Sequence, residues 1–197
     1  MDVKSYAAVA EVCRRLAGRL ADDTLGTVRE HYSAGELDLA DDTLLLNLAY
    51  HGVGITAEEQ ALMRSFLGDP DGSDLAEVPI IAEVPAPPYR FSPTGPADAP
   101  DPTPADDLLS TDAPRRGGRS LHRVWRAPLD GAPDNAAWLY VLQVAEGADE
   151  LATYSRVMAQ LWTTLRQKWP VEVIADGSTR TPYHEAALAG AAAIWRP

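Results

Sequence analysis

The chain has 197 residues, 46% of them hydrophobic and 7% aromatic, which is enough for one sizeable domain or two small ones with a buried core. A net charge of −12 argues against a nucleic-acid or anionic-membrane binder, because a field of that sign repels phosphates and acidic headgroups and attracts a basic protein surface. No apolar run approaches the roughly eighteen residues of a membrane span, and Met1-Asp2-Val3-Lys4 has no cationic region leading into an apolar one, so a cytoplasmic protein is expected.

Tyr6, Val9, Cys13, Leu16 and Leu20 recur at spacings of 3, 4, 3 and 4, which predicts a helix over about residues 3–20. Cys13 is the sole cysteine; on that stripe it reads as a small buried hydrophobe. Asp22 or Asp23 caps a segment bearing Leu25, Val28 and Tyr32 and stopped by Gly35, either a second helix or a bent continuation of the first. From Leu37, Ala40, Leu44, Leu45 and Leu48 line a third helix, with Gly52 as its left-handed terminator. Thr56 and Glu59 form a capping box for a fourth, with Leu62, Met63, Phe66 and Leu67 inward and Gly68 as its stop.

After Gly68 the composition changes. Asp69-Pro70-Asp71-Gly72 reads as a turn and Val78 to Val84 as a short edge strand, since Pro79 lacks an amide to donate. Eight of the twenty residues from Pro85 to Pro104 are proline, which predicts extended chain whose continuation to Gly118 is a mobile loop, or alternatively a segment that packs Tyr89 and Phe91 on the core. Strands are predicted over Leu121–Arg126 and Trp138–Val144, the second apolar on both faces. A helix comes next, from Tyr154 to Trp169, then a strand over Val171–Ile174, a combination that predicts a right-handed parallel βαβ unit. Thr181 and Pro182 open a last helix running to Ala193. The fold class is thus α+β. A helical segment spans 1–68, an edge strand and proline-rich loop 69–118, and a mixed segment 119–197, which is compatible with one compact domain shared with 1–84.

Catalytic and metal signatures are absent from the sequence. His31, His51, His122 and His184 form no H-E-x-x-H or neighbouring ligand pair, and there is no nucleophile elbow, phosphate loop or dinucleotide fingerprint. Asp69, Asp71 and Ser73 begin like a calcium loop, but Gly72 and Ile80 stand at the wrong positions for one. The acid pairs Asp22-Asp23, Asp41-Asp42, Glu58-Glu59 and Asp106-Asp107 read as solvated, since adjacent helical side chains diverge by about 100°. The knot Arg115-Arg116-Gly117-Gly118-Arg119 predicts local pairing with Asp106, Asp107 or Asp112, and the five tryptophans predict core packing. No cofactor, metal or catalytic residue is expected. Fifteen arginines against two lysines, with abundant alanine, suggest a GC-rich bacterial genome.

The acid is unevenly placed: residues 1–114 carry 21 Asp+Glu against 7 Lys+Arg, residues 115–197 carry 8 against 10. Its densest stretch is Ala34-Gly35-Glu36-Leu37-Asp38-Leu39-Ala40, an apolar helix ending at Tyr50-His51-Gly52, and the restart Ile55-Thr56-Ala57-Glu58-Glu59. Residues 30–68 resemble the helical pair of small bacterial toxin-immunity proteins, the MafI-like group; the remainder has no such counterpart. The resemblance implies a stoichiometric inhibitor of a basic protein, a cognate toxin, acting by occlusion. The anionic ridge expected to make that contact comprises Glu36, Asp38, Asp41, Asp42, Tyr50, His51, Glu58 and Glu59. Two other readings stand beside it: an adaptor that docks through the proline-rich loop, and an enzyme whose acid–base pair is assembled from distant segments.

Overall fold

The computed structural model describes residues 3–197, and the chain has an α+β fold of eight helices and a five-stranded mixed sheet among them. It divides into two compact units, residues 1–87 and 88–197. The helical part therefore runs past Gly68, and the proline-rich part belongs to the sheet.

The first unit holds α1 (Val3–Leu16), α2 (Asp22–Ala34), α3 (Leu37–Tyr50), α4 (Ala57–Arg64) and α5 (Ser73–Glu77). Gly18 in the left-handed region breaks the chain after Leu16, so the first two helical segments are separate helices. Gly35, also left-handed, ends α2 by donating its amide to the Tyr32 carbonyl at 3.1 Å. Thr56 and Glu59 form the expected capping box on α4, which stops at Arg64 rather than reaching Gly68. Val9, Val12, Cys13, Leu16, Leu25, Val28, Tyr32, Leu44, Leu48, Ile55 and Met63 make the core.

The strand expected over residues 78–84 is not formed. A short helix, α5, precedes it, and the stretch itself makes an isolated bridge: Ile55 donates to the Pro79 carbonyl at 2.8 Å and accepts from the Ile81 amide at 2.9 Å. Ile80 and Val84 face solvent, so this stretch has no second face to bury and no neighbouring strand to extend the ladder. Gly54 is required beside it, because a Cβ there would overlap the Ile81 side chain.

The second unit holds β1 (Tyr89–Ser92), α6 (Thr103–Asp112), a 3₁₀ turn (Ala113–Arg116), β2 (Gly118–Pro128), β3 (Ala137–Val144), α7 (Glu150–Leu165), β4 (Val171–Ala175), α8 (Pro182–Ala189) and β5 (Ala192–Trp195). The order is β1-β2-β3-β4, antiparallel except for the parallel β3–β4 pair that α7 connects, as a βαβ unit requires. β1 and β5 share the outer edge of β2 end to end, β1 against residues 125–128 and β5 against 121–123. Leu121 and Trp125 on β2, Trp138, Tyr140, Leu142 and Val144 on β3, and Val171, Val173 and Ala175 on β4 form one core with α6 and α7.

The mobile loop expected through Gly118 is instead ordered structure. Prolines cannot donate amides, but their carbonyls accept: Trp138 Nε1 donates to the Pro100 carbonyl at 2.8 Å and the Tyr140 hydroxyl to that of Pro102 at 3.3 Å. Pro104 sits in the first turn of α6, where its missing amide costs nothing, and Ala105, Leu109 and Ala113 carry the helix onto the core. Tyr89 is buried in β1, the alternative in which this segment packs its aromatics. At the other end, the last helix stops at Ala189 and not Ala193. A Cβ on Gly190 would meet the Phe91 backbone at 3.0 Å, so the chain passes β1 as glycine and pairs with β2 as β5. α7 likewise ends at Leu165, with Arg166 left-handed, and Trp169 packs on Tyr140 beyond it, ring centroids 6.0 Å apart. Trp162 departs from the expected core packing, being 50% exposed.

Candidate interaction surface

α3 is apolar on two sides. At about 100° per residue, Ala40, Leu44, Leu45 and Leu48 share its inner face and are buried. Leu39, Leu46 and Tyr50 share the opposite face and are 49%, 67% and 82% exposed. Asp38 and Asp42 border this outer stripe on one side, both exposed, and Thr43 and Asn47 border it on the other. Thr43 and Asn47 are occupied with the helix itself, donating to the Leu39 and Thr43 carbonyls at 2.6 and 2.8 Å. Tyr50 and His51 close the stripe, their rings edge to face at 5.0 Å.

The expected ridge is therefore redrawn. Glu36, Asp38, Asp42, Tyr50, His51 and Glu58 are exposed, whereas Asp41 and Glu59 are not surface residues. Asp41 lies three and four residues before Leu44 and Leu45, which places it on the inner face. There it accepts from the Tyr32 hydroxyl at 2.5 Å and from the Gly68 amide at 2.9 Å. Burial, with the Asp41 hydrogen bond second, raises the Tyr32 pKa well above the ordinary phenol value. Glu59, 2% exposed, joins Arg19 at 2.7 Å while its other oxygen accepts from the Thr56 amide at 2.8 Å.

Two exposed acids of the ridge also have partners. Glu58 pairs with Arg15 at 2.8 Å, tying α4 to α1, and this hydrogen-bonded guanidinium holds its carboxyl below the usual glutamate range. Glu36 pairs with His31 at 2.6 Å. Asp38 and Asp42 are left as the open carboxylates beside the stripe. Leu39 and Leu46, absent from the expected ridge, belong to this exposed stripe, and the signal is in the sequence: apolar residues at 39, 46 and 50 exceed what one buried face needs.

In the second unit several charged groups are engaged within the fold. Arg126, 1% exposed, donates to the Tyr183 hydroxyl at 2.9 Å, lies 3.6 Å from Asp134 and stacks over Tyr89 at 4.8 Å. Asp106 holds Arg123 and accepts from the Tyr140 hydroxyl at 2.8 Å, and burial raises its pKa despite both partners. His184, a wholly buried residue of the first turn of α8, joins Glu172 at 3.2 Å through Nε2 and the Thr181 hydroxyl at 2.8 Å through Nδ1. Within the arginine knot, Arg116 pairs with Asp112 at 2.7 Å as expected, while Arg119 approaches Asp176 at 3.9 Å.

Among the described residues no three His, Cys, Asp or Glu side chains converge as a metal-ligand set, and no helix is long and apolar enough to cross a membrane. Comparison with protein-family models, with curated proteins and with solved structures finds no match to this chain.

Proposed function

We propose that this chain is a non-catalytic binding protein of the immunity or antitoxin kind, which occludes a basic protein partner through the outer face of α3. The carrying observation is the open stripe of Leu39, Leu46 and Tyr50 beside the carboxylates of Asp38 and Asp42. Scattered exposed apolar residues need no explanation, but three aligned on one face of a helix form an exposed apolar stripe, and exposed apolar surface of this kind marks contact sites. Their spacing of seven and four residues suits a partner helix that lays its own apolar face along α3. The acids on one border favour lysine or arginine on the facing edge of that helix. Residues 1–87 carry 16 Asp+Glu against 6 Lys+Arg, so a basic partner would be steered at long range before the stripe closes on it. Inhibition of this kind requires fast capture and an interface that covers the partner's working surface, not turnover.

The test uses wild-type and Leu46→Arg proteins as baits in the native lysate at about 50 and about 500 mM salt, since salt screens exposed charges. The captured protein is then identified and co-produced in cells with each bait. The reading requires a basic protein in one-to-one ratio on the wild type alone, weaker capture at high salt, and protection of the cells by the wild type alone. Equal capture by both folded baits, or a captured protein to which cells are equally sensitive with and without the wild type, would overturn it.

A further inference from the structure

Residues 93–102, the proline-rich strap between β1 and α6, lie on the sheet face that α6 covers. On that face Arg123 and Trp125 of β2 stand opposite Tyr140 and Trp138 of β3, as two neighbouring cross-strand pairs. The two indoles meet edge to face at 5.2 Å, and the Arg123 guanidinium lies over the Trp138 ring at 4.6 Å. The strap runs along this surface. A Cβ on Gly95 would stand 2.8 Å from the Trp138 ring and 3.3 Å from that of Trp125, so glycine brings the backbone against both rings. Further on, Trp138 Nε1 donates to the Pro100 carbonyl at 2.8 Å, and the Tyr140 hydroxyl, which also donates to Asp106 at 2.8 Å, reaches the Pro102 carbonyl at 3.3 Å. Two residues of β3 advance about 6.7 Å and two residues of an extended proline-rich chain about 6.2 Å, so carbonyls two apart fall on donors two apart.

The contact is unequal. Trp125 and Trp138 are buried beneath the strap, yet none of residues 93–102 is: Gly95, Ala99 and Pro102 are half-buried and the others exposed. The strap thus gives the sheet its carbonyls and its glycine backbone and keeps most of its own side chains in water. It also leaves one donor of the surface unanswered, since Arg123 spends Nη1 on Asp106 and its buried Nε has no hydrogen-bond partner. Paired aromatic rings flanked by an indole N–H and a hydroxyl suit extended proline-rich chain, which is ordered before it binds and offers carbonyl acceptors with few competing amides.

We propose that Trp125, Trp138, Tyr140 and Arg123 form a recognition groove for an extended proline-rich peptide of a partner protein, and that residues 93–102 occupy it in cis as an autoinhibitory strap. The incoming peptide replaces the strap's carbonyls on Trp138 and Tyr140 and offers Arg123 Nε the acceptor that the strap lacks. Tethering gives the strap an effective concentration on the order of millimolar, so a free peptide competes well only once the strap is lifted. The groove lies in the other unit from α3 and does not rest on the α3 reading.

The probe is a synthetic peptide with the sequence of residues 93–104, beside a copy in which alanine replaces its prolines, titrated into the full chain and followed by the indole ¹H–¹⁵N signals of Trp125 and Trp138. Three proteins are compared: the wild type, Gly95→Val, whose side chain would meet both indole rings, and a chain in which residues 94–101 are replaced by glycine and serine at equal length. Saturable binding of the proline peptide, roughly tenfold or more tighter to the strap-lifted proteins than to the wild type and lost with the alanine copy, is the expected result. No saturable shift at Trp138 in a strap-lifted protein whose spectrum remains folded, or equal binding of the two peptides, would overturn the groove. Deuterium exchange of the Trp138 Nε1 hydrogen in the wild type gives a reading that needs no variant. A strap that lifts by itself leaves this hydrogen protected roughly tenfold or more less than the slowest amides of β3, whereas exchange in step with them would mean that the strap opens only when the unit unfolds, and would overturn its role as a displaceable cover.

Discussion

The two units treat charge in opposite ways. In residues 88–197, with 13 Asp+Glu against 11 Lys+Arg, a set of charged side chains is drawn into the sheet and matched there: Arg126 with Asp134 and Tyr183, Asp106 with Arg123, Glu172 with His184. In residues 1–87 acids outnumber bases by ten, Glu58 and Glu59 are spent on holding α4 to the arginines of α1 and the turn after it, and Asp38 and Asp42 are left beside an uncovered apolar stripe. The first arrangement specifies a fold. The second leaves surface that the fold does not use, and that difference is why the interaction surface is proposed on α3 and not on the sheet.

The largest effect that would break this contrast lies at Arg126. If its charge is structural, Arg126→Met strands Asp134 in a partly buried place and destabilises the second unit by about 3 kcal/mol, the lower end of the range for a broken buried pair because Asp134 keeps the Tyr89 hydroxyl at 3.2 Å. The double variant Arg126→Met/Asp134→Asn should recover part of that loss. Urea unfolding followed by tryptophan fluorescence reads it directly, because all five tryptophans lie in this unit. An Arg126→Met protein as stable as the wild type would mean that the buried arginine serves something other than the fold.

A sharper comparison lies within α3. Leu44→Ala removes a fully buried side chain and should cost about 2–5 kcal/mol, while Leu46→Ala, two residues on and 67% exposed, should stay within about 0.5 kcal/mol. Thermal unfolding of the two variants measures the difference. Comparable losses would mean that the outer stripe supports the fold and is not free for a partner.

How legible the molecule was in its sequence depends on the kind of signal each element carries. The βαβ unit was readable because Trp138–Val144 is a near-continuous apolar run, the helix after it has a clear period, and a short β-branched run, Val171–Ile174, follows. α6 was not, since proline density describes donors that are missing and says nothing about carbonyls, and it was the carbonyls of Pro100 and Pro102 that Trp138 and Tyr140 captured from far along the chain. β5 was hidden by helix propensity: Ala191–Ala193 reads as helix until Gly190 is required by the approach of Phe91. In the candidate surface, charge and position predicted Asp38, Asp42, Tyr50 and His51 to be exposed, and they are. Asp41 and Glu59 were misplaced because a carboxylate's burial depends on a distant donor, Tyr32 in one case and Arg19 in the other.

The smallest expected effect concerns Glu58, which tests whether the acids of the first unit are really divided between paired and open. Its carboxyl is held below the ordinary glutamate value, chiefly by the Arg15 hydrogen bond and then by that charge. A depressed folded-state pKa means that the folded protein binds this proton less readily than the unfolded chain does. The contribution is therefore present above the unfolded value, about 4.3, and is lost as pH falls through the folded one. A carboxyl-detected NMR titration should place Glu58 below that reference in the wild type and return it toward the reference in Arg15→Gln. Because Glu58 is fully at the surface, added salt should also move it part of the way back. Were Glu58 to titrate at the reference value in the wild type, the Arg15 pair would not persist in solution. Glu58 would then join Asp38 and Asp42 as an open acid, and the surface offered to a basic partner would extend from α3 onto the start of α4.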